Sequence, residues 1–225
     1  MTATPRARAR LLLRSGRAQP GLLAPLVVAQ AAEIEALPLD EFLTNPTKLS
    51  KGLTSLHQAL GTDAITVSGQ GSAEQLDAAV EATARLVATA PGDPVLIAVL
   101  PGPGALAGER GCDLERGGEL VLDIVKRFLE AGSHLVVLVE DAAPGTDDWR
   151  SAITPVVNVA RFHQAVSVVV TGDATSMPNV FVLPDEPKEW TAPPAGTALT
   201  VTAGVVPAHH SFAEVHEACR RLLGD

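Results

Sequence analysis

Seven short Val-rich runs recur along the chain: LLAPLVVA (22–29), AITVS (64–68), VLIAVLP (95–101), HLVVLVE (134–140), AVSVVVT (165–171), NVFVL (179–183) and ALTVTA (198–203). A strand with one wet face alternates polar and apolar residues, whereas these runs are almost continuously apolar. They read as strands buried on both faces. Such strands need helices on either side, and the right-handed strand–helix–strand unit supplies them, so the expected class is α/β with a parallel sheet. Aromatics make up only 3% of the chain and Tyr is absent, so Val, Leu, Ile and Ala must build the core.

The stretches between the runs carry helix punctuation. Thr4 and Pro5 open a helix that Gly16 stops, and Asn45-Pro46 opens one that Gly61 ends. Ser72 and Gln75 form a capping box ahead of Leu76, Ala79, Val80, Leu86 and Val87 at helical spacing. Leu120, Val121, Ile124, Val125, Phe128 and Leu129 make a second apolar face, closed by Gly132. Asp148 begins a helix through Ile153, Val156, Val157 and Ala160, and Ser211 with Glu214 caps the last one.

The strands could lie in an open doubly wound sheet or close into a barrel. An ordinary (β/α)8 barrel takes about 250 residues, although about 200 suffice. At 225 residues the chain is short for one, and only Asp173 to Pro178 separates two strands where a helix belongs. The expectation is a single domain, 1–225, with a compact or incomplete (β/α)8 TIM-like barrel. The shortened stretch at 172–180 would bare one side of it, which favours a homodimer.

Residues 1–17 hold five Arg and no acid, which leaves 12 bases against 26 acids, a balance of −14, over the remainder. This suits a basic first helix lying on an acidic body. An overall charge of −9 argues against nucleic acid as a partner, since phosphate binding needs a basic face. No apolar run approaches the ~20 residues of a membrane span, and Cys112 and Cys219 are far apart without metal spacing. A cytoplasmic protein with no membrane partner is expected.

Several segments, in order, resemble the uroporphyrinogen decarboxylase superfamily, whose other branch is the cobalamin-linked, coenzyme M type methyltransferases. TPRARARLLLRSGRAQPGLLAP is similar to the methyltransferase branch's first helix and strand. LPLDEFLTNPTKLSKGLTSLHQALGTDAI resembles the helix that leads into "GxDAI". PGPGALAG is similar to "GPxTLA", and FLEAGSHLVVLVEDAA to "EAGADxIxIxDxxA". TALTVTAGVVPAHHSFAEVHEACRRL resembles the closing strand and helix. The resemblance implies a trimmed TIM barrel, and an activity of decarboxylase (lyase) or methyltransferase type. The functional residues depart from the family pattern. Strand one runs into Gln30 and Glu33 without an Arg-rich loop, and strand two ends in Ser68-Gly69-Gln70 where the decarboxylases have Asp. The closing-strand His or zinc-ligating Cys falls at Val205, and there is no His-x-Cys pair.

In a barrel the site lies where the strands end. Glu140, Asp141 and Asp173 are the candidate catalytic acids, because a carboxylate at a half-buried strand end can have its pKa raised and move a proton. An anchoring or turn-forming role is the alternative for each. Gln30, Glu33, Ser68, Gln70, Gly102, Gly104, Thr171, His209 and His210 are the candidate ligand-binding residues. The glycines of 102–108 superficially suggest a dinucleotide loop, but their spacing is one residue too long. No metal and no cofactor are expected, because adjacent histidines seldom share an ion. The expected function is a decarboxylase-like protein acting on, or binding, a small carboxylated or methylated molecule at the barrel mouth. The alternatives are a non-catalytic subunit binding a methyltransferase or corrinoid partner, and uroporphyrinogen decarboxylase itself. The last requires cations for the substrate's many carboxylates, and this acidic chain lacks the Arg-rich loop near strand one that would supply them.

Overall fold

The computed structural model describes residues 3–141, 146–172 and 174–224. Helix α1 (Pro5–Ser15) starts at Thr4, whose hydroxyl accepts the Ala7 N–H, and stops at Gly16 in the left-handed conformation. Strand β1 (Leu22–Leu23) is followed by α2 (Ala29–Ile34), α3 (Leu39–Thr44) and α4 (Pro46–Leu60). Then come β2 (Ala64–Ser68), α5 (Ala73–Thr89), β3 (Val95–Pro101), α6 (Pro103–Arg110) and α7 (Leu114–Glu130). The chain continues with β4 (Leu135–Val139), α8 (Asp147–Phe162), β5 (Val166–Thr171), β6 (Ala174–Thr175) and β7 (Val180–Leu183). After a 3-10 turn at Pro187–Glu189 it ends with β8 (Leu199–Thr202) and α9 (Phe212–Leu223).

The strands lie in two sheets, β2-β3-β4-β5-β6 and β1-β8-β7, and every pairing is parallel except β5 with β6. The sheets are stitched together next to β1. The Leu23 N–H donates to Asp63 Oδ2 (2.8 Å), the Asp63 N–H donates to the Leu23 carbonyl (2.9 Å), and Thr66 Oγ1 donates to the Pro25 carbonyl (3.3 Å). On the far side β6 packs against β7.

Strand alternation divides the core in two. Val95, Ile97 and Val99 of β3 join Leu135, Val137, Val166, Val168, Val170, Leu199, Val201, Leu22 and Leu26 in one apolar cluster. Leu96, Ala98 and Leu100 point the other way and pack with Val136, Leu138, Phe128, Val125, Val156 and Leu86 beneath the helices. This explains the unbroken Val-rich runs, since each face of each strand meets apolar partners. Ala9 and Leu12 of α1 belong to the first cluster, so this helix covers one end of it. Two of its arginines reach acids on the body: Arg8 pairs with Asp63, and Arg6 with Asp93 (3.5 Å).

Several short elements differ from the sequence expectation. The first strand shrinks from 22–29 to two ladder residues, because Pro25 has no N–H to offer a neighbour. The chain still runs beside β8: the Ala24 N–H donates to the Thr200 carbonyl, and the Leu26 N–H to the Thr202 hydroxyl (3.0 Å). The run then turns into α2 at Ala29. The linker after β5 is as short as the sequence indicates, with no helix among its described residues, and the unexpected feature is the two-residue strand β6. Over that shortened stretch lies a cavity of about 320 Å³, lined in part by Leu13, Leu138, Ile153, Val157, Val169 and Met177. Among the described residues no helix is long and apolar enough to cross a membrane.

Candidate functional site

The candidate residues sit where parallel strands end, and tertiary contacts gather most of them into two groups. The first surrounds Glu140. As the residue after β4, Glu140 continues the side of Val136 and Leu138, which faces the helices, and it is 5% exposed. Its Oε1 accepts the Gly104 N–H (3.0 Å) and the Trp149 indole N–H (2.7 Å), and its Oε2 accepts the Ala105 N–H (2.9 Å). The carboxylate therefore fills the N-terminus of α6, where unpaired N–H groups and the helix dipole favour an anion.

The glycines of PGPG follow from this. A Cβ on Gly102 would collide with the Glu140 carboxylate and lie 2.6 Å from its Cγ, and one on Gly104 would lie 3.0 Å from Oε2. The loop that resembles an anion cradle is one, and its anion is the chain's own Glu140. Trp149, on the first turn of α8, completes the group. The sequence reading passed over it because a Trp in DDWR carries no motif.

The second group joins α2 to the segment after β8. Gln30 is 1% exposed and its Nε2 donates to the His210 carbonyl (2.9 Å) and the Pro207 carbonyl (3.2 Å). Glu33 Oε2 accepts the Phe212 N–H (2.6 Å) at the start of α9. The rings of His209 and His210 lie 4.1 Å apart by centroid. His209 is exposed, whereas His210 is buried. Glu186, beside the 3-10 turn, approaches His210 Nε2 at 3.6 Å. One ligand atom from each of Glu186, His209 and His210 falls within 4.8 Å of the others. Glu186 lay unnoticed in a Pro-rich stretch with no spacing relation to the histidines.

The remaining candidates stand apart from these groups. Ser68, the last residue of β2, accepts the Gln70 N–H on its Oγ (3.3 Å), which ties it to the β2–α5 loop. Thr171 pairs with Ala174 at the β5–β6 turn. Asp141 is exposed, and Asp173 lies outside the described residues. A groove of about 590 Å³ runs between α7 and α8, but Asp113, Glu115, Glu119 and Asp148 line it, so it repels carboxylated ligands. Cys219 is buried, and desolvation pushes its thiol up to about 12, so it is not a nucleophile at neutral pH. Hydrogen bonds from the Ser211 backbone and side chain hold the Glu214 carboxyl below its ordinary range.

No protein-family model matches the sequence, and no curated protein matches it. The structure is similar to a methyltransferase from Methanosarcina mazei, with a TM-score of 0.67 over 100% of both chains and 11% sequence identity. At that identity the likeness concerns the fold, and the chain has a methyltransferase-like α/β fold.

Proposed function

We propose that the chain is a shortened, divergent member of the uroporphyrinogen decarboxylase and cobalamin-linked methyltransferase superfamily. On this reading it is a single incomplete (β/α)8 barrel that binds a small methylated or carboxylated molecule where the strands end. The end-to-end fold likeness to a methyltransferase carries it. The apolar cluster shared by strands of both sheets and the stitch between β1 and β2 support a curled sheet with an inside. By alternation from Ala64, Ser68 faces that inside at the end of β2.

Binding is favoured over acid–base catalysis by the state of Glu140. A general acid or base must reach a substrate proton, yet both oxygens of this carboxylate hold helix and indole donors. Glu140 is better read as a positioning residue that fixes α6 and α8 around the strand ends. The test is calorimetric titration of the purified protein with S-methyl coenzyme M, as a small methylated ligand, and with citrate, as a small carboxylated one. Saturable binding of one of them, lost in Ser68→Phe while circular dichroism is unchanged, supports the reading. Absence of saturable binding by either ligand overturns it, as does turnover that disappears in Glu140→Gln with folding intact.

A further inference from the structure

We propose that Glu186, His209 and His210 bind one divalent transition-metal ion of the zinc class, at the junction between the Pro187–Glu189 turn and the start of α9. Their ligand atoms already lie within 4.8 Å of one another. A tetrahedral ion with bonds of about 2.0–2.1 Å holds its ligands ~3.4 Å apart, so modest side-chain rotations close the set. Two imidazoles and a carboxylate suit Zn²⁺, Co²⁺ or Ni²⁺ better than Mg²⁺ or Ca²⁺, and three protein ligands leave one position for water.

His210 carries the argument. Its side chain is 8% exposed, and its Nε2 is buried without a hydrogen-bond partner. Such an orphan costs stability, and a bound ion would take its lone pair.

The frame behind the ligands is fixed. Gln30 holds the His210 and Pro207 carbonyls, and an Arg221 Nη donates to the Pro187 carbonyl (3.0 Å), tying the Glu186 turn to α9. These bonds fix the backbone that carries His210 and the Glu186 turn, so only side-chain freedom is lost on binding. Glu214 lies 4.0 Å from His210 Nδ1 and adds negative charge. Two cations compete for the site: Lys188, 3.3 Å from the second oxygen of Glu186 and 75% exposed, so that water screens it heavily, and Arg221, which lines the same cavity but spends its Nη on the Pro187 carbonyl. The site shares no residue with the closing-strand position at Val205. It reverses the expectation that the chain binds no metal.

The experiment uses tag-free, chelator-stripped full-length protein, titrated with Co²⁺ by visible absorbance and with Zn²⁺ by calorimetry. One ion per chain is expected, with at least a tenfold loss of affinity in His210→Ala and in Glu186→Gln. If His210→Ala does not fold, Glu186→Gln on the half-exposed turn gives the same readout. Wild-type protein that takes up no stoichiometric ion, or binding that both variants retain at full strength, overturns the site.

Discussion

Glu140 and Gly102 depend on each other. The acid needs the glycine because a side chain at residue 102 would occupy the carboxylate's place, and α6 needs the acid because it accepts the N–H of Gly104 and the buried N–H of Ala105 in the first turn. Glu140→Ala should lower stability by about 2–4 kcal/mol, since it leaves the donors of Gly104, Ala105 and Trp149 unanswered. Gly102→Ala in the wild-type background should cost about 1–3 kcal/mol by overpacking. In Glu140→Ala protein the added methyl has room, so the two losses should fall short of additivity by about 1–2 kcal/mol. Urea unfolding of the four proteins measures this, and strict additivity would refute the coupling. Glu140 was legible in the sequence as a polar residue ending an apolar strand, but its partners were not. Gly104 lies 36 residues away on another element, and no local pattern shows which helix end a carboxylate will reach.

His134 shows how the strand elements respond to acid. It stands just before β4, where its N–H donates to the Leu96 carbonyl (2.9 Å) and its Nδ1 accepts the Leu96 N–H (3.0 Å). A protonated ring cannot accept that bond. Desolvation, and next the positive charge of Arg6, lower its pKa from 6.5 to about 4. Above pH 6.5 the ring is neutral in both folded and unfolded chains and costs nothing. Between 6.5 and 4 the unfolded chain takes up the proton first, so folding stability falls with pH. Below 4 both states are charged and the loss levels off. The loss should be on the order of 2 kcal/mol, less than the full shift implies because the ring is not wholly buried. His134→Gln should flatten the slope of stability between pH 6.5 and 4, as followed by chemical denaturation. A residual slope in the same direction is expected from His57, whose pKa burial also lowers. At this scale most of the structure was readable. The caps at Thr4, Asn45, Ser72 and Ser211 are where the helices begin. The short α2, α3 and α6 were not foreseen, because helices of six to eight residues carry too few turns for periodicity to emerge.

For the whole molecule, the link that deserves testing joins α1 to the sheets. Arg8 pairs with Asp63 and also donates to the Pro20 (3.1 Å) and Gly21 (3.0 Å) carbonyls, and Asp63 in turn accepts the Leu23 N–H. One buried guanidinium thus ties together the helix, the chain entering β1 and the seam between the two sheets. Arg8→Ala should cost about 2–4 kcal/mol, because it leaves a mostly buried carboxylate without its cation. It should also raise binding of a hydrophobic dye as α1 loosens from the apolar cluster it covers. A denaturation midpoint equal to wild type would show that the link adds nothing. Sequence alone determined the main buried strands and the longer capped helices, because burial on both faces and helix capping are written in neighbouring residues. Only the tertiary structure decided which polar groups at the strand ends stay available and which are consumed. Gln30 spends its amide on a carbonyl 180 residues away, Glu140 closes the glycine loop, and Glu186 arrives beside the histidines from a turn with no pattern of its own. Hydrogen bonds of that reach are set by how the elements pack, and packing joins residues that the order of the chain keeps far apart.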